Sequence, residues 1–341
     1  MKPLRVLALM HKHLAPPRDT TNVDLETAEW KTEHDVLTTL RRLGHDAEPL
    51  GIEKDLGIIR SAIEIFKPDI VFNLLDAFDN VALFEPNVVS YLELLRVPYT
   101  GCNPRGLLLA KDKSLSKKLM AYHRVPMPDF WVFRRGQKVR LPKRLGFPLI
   151  VKSLTEEASL GISQASVVDD EAKLKERIGF IHDSVGSDAI VERFVDGREL
   201  YVGLIGNRRL KVLPVWELLF TKMPDDVRHI ATERVKWSAK YQEKYGIKAG
   251  ELKDVPDGLC ERIQHLCKRV YRSLDLSGYA RVDLRLDKNG KVYVIEANPN
   301  PHIAREEDFA ESAIRAGMSY KALLQRILTL GMQWRPERAG S

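Results

Sequence analysis

Short apolar runs alternate with helical patterns over the first hundred residues, and this alternation constrains the fold more than any other feature of the chain. The run Leu4–Met10 is followed, after a loop, by apolar residues at helical spacing that end at Gly44. A second unit follows, with a helix at 58–66, a strand at 70–75, a helix at 88–95 and a strand at 97–100. Strands that alternate with helices predict a parallel sheet covered on both faces, so we assign residues 1–113 to one α/β domain.

Composition bounds the class of protein. The chain has 341 residues, 44% hydrophobic and 30% charged, which suffices for two or three packed domains and excludes a small disulfide-stapled module. Its 54 Lys and Arg against 47 Asp and Glu give a net charge of +7, which suits an anionic ligand without requiring nucleic acid. Three cysteines cannot all pair, and no run approaches the roughly 18 apolar residues that cross a bilayer. We therefore expect a soluble cytoplasmic protein with no membrane partner.

The pattern changes after residue 113. We expect a helix at 113–123, strands at 130–133, 147–152 and 162–168, a helix at 169–180, and strands at 189–194 and 200–205. A cationic stretch at 134–144 is interrupted by glycine and proline and is interpreted as a solvated loop. Because it lacks interleaved aromatic residues, we do not expect nucleic acid as a partner.

The clearest local signal is a hairpin in which Asn289-Gly290 joins two alternating runs, 281–286 and 291–298. A two-residue turn predicts three apolar pairs on one face, namely Val282 with Ala297, Leu284 with Ile295 and Leu286 with Tyr293. A four-residue turn would slide this pairing by two places without moving any side chain to the other face.

The other face of the hairpin sets Asp283 opposite Glu296 and Arg281 opposite Asn298. Facing carboxylates repel, so we expect a cation between them. The two acids and the Asn298 amide oxygen are ligands that Mg²⁺ takes, with substrate phosphates and water completing its shell. The alternative is a solvated hairpin whose acids are neutralised by Arg281 and Arg285, and spacing alone slightly favours it. Two prolines within 296–301 favour the metal site, because they stop the strand and fix the loop.

At these residues the sequence resembles the ATP-grasp superfamily and, within it, the D-alanine:D-alanine ligase branch. The resemblance is carried by separated motifs in the family's order, from Val97-Pro98-Tyr99-Thr100-Gly101 to Ala316-Gly317-Met318-Ser319-Tyr320. It implies an α/β ATP-grasp fold with a Rossmann-like N-terminal domain at 1–113, a central lobe at 114–195 and a C-terminal lobe with the metal site at 196–335. It also implies ATP with two Mg²⁺ or Mn²⁺ ions as cofactors, and a homodimer.

The resemblance assigns most of the candidate site to ATP. Lys113 and Lys152 would reach the phosphates, and the loop at 153–161 would cover them. Glu192 and the backbone at 194–195 would lie along the adenine edge. The set implied for ATP is Lys113, Lys152, Glu192, Phe194, Val195, Glu199 on the ribose and Lys236 near the terminal phosphate.

The remaining family positions concern the phosphoryl group and the metal. Arg281 would steady the developing oxyanion and the transferred phosphoryl group, a role suited to a fixed bidentate cation. Asp283, Glu296 and Asn298 match the family's metal ligands without substitution. Lys236 falls in the segment 221–253, which we expect to be a loop.

The substrate pockets depart from the family. Glu33 is matched to the glutamate that holds the first substrate's amine, and Asp76 occupies the place of a histidine. Ala158 replaces a serine, and His302 stands in the rewritten motif after Asn298. Arg305 would take the carboxylate of the second substrate, or Glu306 or Glu307 would attract a cationic one. A surface salt-bridge cluster is the alternative for these charges.

The expected function is an ATP-dependent ligase that joins a carboxylate to an amine through an acyl phosphate and releases ADP and phosphate. Its partners would be amino acids or small peptides. The alternatives are a D-alanine:D-alanine ligase proper, a kinase on the same scaffold and a nucleotide-binding protein without turnover.

Overall fold

The computed structural model describes residues 2–21, 23–25, 27–155, 162–224 and 227–336, and at 237 and 239 the backbone alone. The described elements form three sheets, one in each of the segments 1–113, 114–195 and 196–335. The α/β class is confirmed, whereas the domain boundaries stay a prediction.

The first segment contains the predicted parallel sheet. Its strands lie in the order β2-β1-β3, and β1 pairs with both neighbours in parallel. The elements are β1 (Arg5–His11), α1 (Lys31–Arg42), β2 (Asp46–Ile52), α2 (Gly57–Phe66), β3 (Ile70–Asn73), α3 (Glu85–Leu94) and α4 (Pro104–Lys111).

Two details of this segment differ from the prediction. Sequence analysis missed β2, an edge strand whose alternation is interrupted by Pro49. The expected strand at 97–100 forms one isolated bridge, between Val71 and Tyr99. Backbone hydrogen bonds on both sides of that bridge still hold this segment beside β3.

The second segment forms an antiparallel sheet in the order β4-β7-β5-β6. Its elements are α5 (Lys113–Tyr122), β4 (Phe130–Phe133), β5 (Leu149–Ser153), β6 (Val167–Val168), α6 (Glu171–Phe180) and β7 (Ala189–Arg193). The strand expected at 162–168 is wrong except for β6, because Gln164–Ser166 forms a 3₁₀ turn. The Ser163 amide donates to the Ser166 hydroxyl, and this cap competes with strand pairing.

The third segment forms an antiparallel sheet in the order β10-β9-β8-β11-β12. Its strands are β8 (Arg198–Ile205), β9 (Lys211–Phe220), β10 (Ile247–Glu251), β11 (Tyr279–Leu286) and β12 (Val292–Pro299). Its helices are α7 (Glu233–Trp237), α8 (Ala239–Tyr245), α9 (Leu259–Ser273), α10 (Asp308–Arg315) and α11 (Tyr320–Gln333).

The segment 221–253 is therefore not the loop expected from its many lysines. Thr232 and Ser238 cap α7 and α8 by accepting hydrogen bonds from backbone amides in their first turns. Buried Met223, Val235 and Ile247 form a small apolar core beneath them. This core holds α7 against the strands.

The β11–β12 hairpin agrees with the predicted register near the site and departs from it near the turn. Val282 pairs with Ala297 and Asp283 with Glu296, as expected, but a bulge at Ile295 then shifts the ladder by one residue. Consequently, the predicted pairs Leu284 with Ile295 and Leu286 with Tyr293 are wrong, and these leucines pair with Val294 and Val292. The strand also continues through Pro299, at the outer edge of the sheet, instead of stopping before it.

Two large cores unite these elements. One includes residues of β3, α9 and β11, and the other joins β1 and α1 to α10 and α11. The C-terminal helix α11 therefore packs on the N-terminal sheet, which brings the loop after β12 close to α1. Within the described part of the chain, no helix combines the length and apolar character needed to span a membrane.

Candidate active site

Two clefts meet at the hairpin. The first, which we call the interlobe cleft, lies between the sheet of β5 and β7 and the sheet of β8, β11 and β12. Its polar lining includes Lys152, Glu192, Glu199, Lys236, Asp283, Arg285 and Glu296. The second, the loop cleft, is lined by residues 298–302 and 306–308 together with Asp76, Tyr201, Lys236, Lys248, Arg281 and Glu296. Lys236 and Glu296 line both clefts, so a group at this junction can contact ligands on either side.

The facing acids are present as predicted, and a cation lies beside them. Arg281 donates two hydrogen bonds to Asp283, from Nε to Oδ1 at 2.7 Å and from Nη2 to Oδ2 at 2.9 Å. The Arg281 guanidinium also stacks over the Tyr201 ring, 4.7 Å from its centroid. Burial raises the pKa of Asp283, and Arg281 opposes that shift. The pairing of Arg281 with Asp283 is the part of the solvated-hairpin alternative that the structure shows, but the pair does not lie on a solvated face, because Asp283 is buried and Arg281 is partly buried.

Glu296 lies in the field of four cations. Burial by itself would raise the pKa of its carboxyl, but Lys113, Lys152, Lys236 and Arg281 together lower the pKa to about 2. Lys113 makes the largest of these charge contributions, from the first turn of α5. A carboxylate held ionised among converging cations belongs to a site built for a highly charged anion.

The donor set fits a magnesium ion shared with phosphates. The described residues include no cluster of three His, Cys, Asp or Glu side chains that could hold a metal alone. Mg²⁺ is commonly bound by one or two carboxylates plus substrate phosphates, which is what Asp283 and Glu296 offer. The Asn298 side chain has a buried amide nitrogen with no hydrogen-bond partner. Rotation of the side-chain amide by half a turn would exchange its nitrogen and oxygen, and the oxygen would then occupy the position of the unpartnered nitrogen.

Lys152 and Glu192 form a buried cluster with Lys117, which sequence analysis did not single out. The Glu192 carboxylate lies 3.3 Å from Lys117 Nζ through Oε1 and 3.4 Å from Lys152 Nζ through Oε2. These lysines together lower the pKa of Glu192 against the opposing effect of its burial. Lys117 Nζ also donates to the Ile295 carbonyl at 3.2 Å, which is the residue of the bulge. A polar residue at helical spacing on the apolar face of α5 is the signal that could have identified Lys117.

The far end of the interlobe cleft offers backbone groups at 194–195. Phe194 is buried and its amide donates to the Pro148 carbonyl, while the Val195 carbonyl accepts from Arg285 Nε at 3.0 Å. Among the described residues, nothing accepts from the Val195 amide, which leaves a donor at the cleft wall. Such a donor suits a ring nitrogen of a base.

Arg285 organises this end of the cleft, although sequence analysis had considered it only as a neutralising surface charge. It is buried and donates to the carbonyls of Val195 and His229 and to Glu199 Oε2 at 3.0 Å. Glu199 further accepts from the Tyr201 hydroxyl and from the Ala231 amide. The Glu199 carboxylate is thus fixed at the cleft wall by three donors. Arg285 lies four residues after Arg281 on β11, so its side chain is on the same face of the hairpin as the acids. This spacing could have been recognised in the sequence.

The loop cleft brings together two of the residues expected to meet substrate. The Asp76 carboxylate lies 2.8 Å from His11 Nε2, and His11 and nearby Lys111 lower the pKa of Asp76 against the effect of burial. His302 is exposed in the same cleft and contacts the Thr32 hydroxyl at the start of α1.

Glu33 lies next to that contact but is buried, and it is not among the residues that line either cleft. Its Oε2 has no hydrogen-bond partner, and burial raises the pKa of its carboxyl to about 7. The nearby Asp76 charge adds to this shift and His11 opposes it.

Arg305 does not occupy the position that sequence analysis gave it. Its guanidinium donates to the Thr39 hydroxyl at 2.7 Å, lies 3.6 Å from Asp35 and covers the Tyr320 ring. These contacts turn it toward α1 and away from the loop cleft. The physical reason is the docking of α10 and α11 on the first sheet, which supplies Asp35 as a partner. The expected loop residue Ala158 lies outside the described residues.

Comparison with known proteins identifies relatives over most of the chain. A family model described as D-ala D-ala ligase C-terminus matches residues 119–329. The uncharacterized protein y4sG of Sinorhizobium fredii is 32% identical over 300 residues, which cover 86% of this chain and 85% of that protein. The D-alanine–D-alanine ligase of Desulforudis audaxviator is 29% identical over 309 residues, covering 87% of this chain and 92% of that ligase.

A solved structure shares the whole architecture. The D-alanine–D-alanine ligase from Bacillus anthracis, complexed with ATP, superimposes with a TM-score of 0.74 at 22% identity. The match covers 97% of this chain and 98% of that one. The likeness confirms the expected ATP-grasp fold.

Proposed function

From the premise that this chain belongs to the D-alanine–D-alanine ligase family of ATP-grasp carboxylate–amine ligases, we propose that it joins the carboxylate of one amino acid or small peptide to the amine of another, converting ATP to ADP and phosphate. The observation that carries this proposal is the junction of the two clefts at Lys236 and Glu296. A nucleotide in one cleft and a carboxylate in the other would meet there.

The chemistry requires an activated carboxylate. A carboxylate is a poor electrophile at neutral pH, so its oxygen first attacks the terminal phosphorus of ATP, and the bond from that phosphorus to ADP breaks. The acyl phosphate is then attacked at carbon by a neutral amine, phosphate leaves and the amine loses a proton. Both steps move negative charge that the protein must stabilise.

In this proposal the interlobe cleft binds ATP. The Val195 amide would donate to the base, Glu199 would accept from the ribose hydroxyls, and Lys113, Lys152 and Lys236 would neutralise phosphate oxygens. Lys152 reaches the phosphates while its charge is balanced by Glu192, which keeps a buried cation from being isolated.

Arg281 would hold the transferred phosphoryl group in line. Its two bonds to Asp283 and its stacking on Tyr201 fix the guanidinium plane before the substrate arrives. Asp283, Glu296 and Asn298 would hold Mg²⁺, which when bound offsets phosphate charge and polarises the phosphorus–oxygen bond. The chain's own task is therefore to pre-position four cations and two acids around one phosphate.

The test is a screen of ADP release with Mg²⁺ and ATP against D- and L-amino acids, small peptides and amines, with the products weighed by mass spectrometry. We expect ADP only when a carboxylate is present, and an amide product when an amine is added. A phosphorylated product without an amide would indicate a kinase, and nucleotide binding without ADP formation would contradict the proposal.

A second candidate is a D-alanine–D-alanine ligase proper, favoured by the names of curated relatives such as that of Desulforudis audaxviator. It predicts that D-alanine alone supports ADP release and yields its dipeptide. The departures in the loop cleft, where Arg305 is engaged elsewhere, favour a different second substrate.

A further inference from the structure

A third cavity, which we call the arginine pocket, shares none of its described lining residues with the interlobe cleft or the loop cleft. It lies between the turn that joins β8 to β9, the segment after α9 and the C-terminal part of α11, and its volume is about 730 Å³. Small-molecule sites commonly have volumes of roughly 300–1,000 Å³. Four of the described residues that line the pocket are arginines, namely Arg208, Arg209, Arg326 and Arg335.

The positive charge of the arginine pocket is not balanced by acids in its wall. Asp275 is the one carboxylate among the described lining residues, and its Oδ2 already pairs with Nη1 of Arg105, at 3.0 Å, from outside the lining. The side chains of Arg209 and Arg326 form no hydrogen bond or salt bridge within the described part of the chain. Like charges around one cavity repel each other, so the pocket favours an anion that carries several negative charges.

The turn that carries two of the arginines has a fixed backbone. The Gly206 amide donates to the Gly278 carbonyl at 2.8 Å, and the Gly206 carbonyl accepts from the Tyr271 hydroxyl at 2.7 Å. Asn207 accepts from the Gly278 amide through Oδ1 and donates from Nδ2 to the Leu330 carbonyl of α11. These bonds position the turn beside α11 before any ligand arrives, which lowers the entropic cost of binding.

Helix capping accounts for one of the four arginines. Arg335 Nη1 donates to the carbonyls of Met332 and Trp334 at 2.9 and 2.6 Å, and a cation at the C-terminal end of α11 stabilises that helix. Arg326 lies about two turns before this end, and Arg209 lies on the β8–β9 turn. Capping therefore explains neither Arg326 nor Arg209.

The chemistry of the pocket favours phosphate groups. A guanidinium presents a planar fork of N–H donors that matches phosphate oxygens in pairs, and it stays charged at physiological pH. Several guanidiniums around one cavity suit an anion that concentrates its charge in a small volume. A single-stranded nucleic acid would instead require a groove with repeated aromatic residues, whereas Trp334 is the one aromatic residue among the described residues of the lining.

We propose that the arginine pocket binds a small oligophosphate anion, held by Arg209 and Arg326 together with Arg208 and Arg335. This site goes beyond the proposed function, because it is separate from both clefts that would carry the ligase reaction. The anion would join the β8–β9 turn to α11, and α11 packs on the N-terminal sheet. Binding would therefore stabilise the contact between the first and third segments of the chain.

The experiment titrates the full chain, in EDTA, with tripolyphosphate, orthophosphate and citrate and follows the fluorescence of Trp334, which lines the pocket. The Trp334 signal is the part of the fluorescence change that disappears in Trp334→Phe. We expect tripolyphosphate to bind at least tenfold more tightly than orthophosphate or citrate, to bind more weakly at high salt, and to raise Tm. Absence of a Trp334 signal, or tighter binding of citrate than of tripolyphosphate, overturns the inference.

The double substitution Arg209→Gln with Arg326→Gln should weaken tripolyphosphate binding at least tenfold. A matched control, Arg134→Gln with Arg140→Gln, removes the same charge from exposed arginines of the cationic stretch at 134–144, which lie outside the pocket. The control should keep the affinity of the unsubstituted chain. Unchanged affinity in the first variant, or an equal loss in both variants, contradicts a specific site.

Two further variants separate this site from the proposed nucleotide site and from effects on folding. Tripolyphosphate would also occupy the phosphate region of the interlobe cleft, so Lys236→Gln should weaken binding there and leave the Trp334 signal unchanged. Loss of the Trp334 signal in Lys236→Gln would assign the signal to the interlobe cleft and overturn the inference. If the double arginine variant has a lower Tm without ligand, Arg209→Gln alone, at an exposed turn position, decides the question and should weaken binding at least threefold.

Discussion

At the scale of single residues, the site is built from charges that burial and neighbours adjust in opposite directions. Glu296 and Glu33 are both glutamates shielded from solvent, yet the pKa of the first is lowered to about 2 and that of the second is raised to about 7. The two pKa values differ because four cations act on the Glu296 carboxyl, whereas His11 is the group that lowers the pKa of Glu33 by its charge. Residue type alone therefore does not set the protonation state.

Glu33 makes the stability of the protein depend on pH. Because its pKa rises from 4.5 to about 7 on folding, the folded state binds the extra proton between these values. The contribution of this carboxyl to the free energy of unfolding is therefore fully present below about pH 4.5. It is lost as the pH rises through 7, and the loss amounts to roughly 3 kcal/mol. We expect Glu33→Gln to stabilise the protein at pH 8 and to have little effect at pH 5, as measured by urea unfolding.

The control for this prediction is Glu48→Gln, at an exposed position on β2. It should leave the unfolding free energy within about 0.5 kcal/mol at both pH values. If Glu33→Gln instead destabilised the protein equally at pH 5 and pH 8, the carboxyl would have to be ionised and partnered in the folded state.

At the scale of elements, the bulge in β12 decides how the hairpin presents its acids. The extra residue, Ile295, leaves its carbonyl free to accept from Lys117, which joins α5 to the strand that carries Glu296. The same lysine holds Glu192 on β7. One buried amine therefore ties together three elements that border the interlobe cleft.

Replacement of Lys117 by methionine tests this connection. The change removes a buried cationic partner of Glu192 and leaves the Ile295 carbonyl unpaired. We therefore expect the free energy of unfolding, measured with urea, to fall by about 3 kcal/mol. We also expect a rise of at least tenfold in the dissociation constant of AMP-PNP, because Glu296 shifts with β12 and Glu192, which pairs with Lys152, loses its second lysine. Lys117→Arg should recover part of that affinity.

The neighbouring Lys118 is exposed on the same helix and provides the control. Lys118→Met should change neither unfolding nor nucleotide affinity. A Lys117→Met protein that is less stable but binds AMP-PNP as tightly as the unsubstituted chain would show that the lysine supports the fold and not the cleft.

Gly197 sets the connection between β7 and β8. Its φ of 146° belongs to a region that L residues avoid, and a Cβ there would collide with the Leu286 carbonyl on β11. We expect Gly197→Ala to lower the unfolding free energy by at least about 2 kcal/mol. Gly179→Ala, in α6 with no atom near the added Cβ, should be neutral or slightly stabilising, and equal effects of the two changes would contradict the steric argument.

At the scale of the whole molecule, the proposed nucleotide site lies between two sheets whose relative position a ligand would stabilise. A ligand that binds only the folded state adds about 2.7 kcal/mol at a hundredfold excess over its dissociation constant. We therefore expect AMP-PNP to raise Tm in a concentration-dependent way, more with Mg²⁺ than with EDTA. Glu296→Gln should remove the difference between Mg²⁺ and EDTA, whereas an unchanged difference would remove Glu296 from the proposed metal ligands.

The sequence by itself determined the local features of this protein: the parallel N-terminal sheet, the hairpin and the placement of Asp283 and Glu296 on one face of it. These follow from periodicity and turn chemistry, which act over a few residues. Only the tertiary structure decided the partners of Lys117, Arg285 and Arg305, because each pairs with groups that are distant in the sequence. Long-range packing brings such groups together, so it alone turned Arg305 away from the loop cleft.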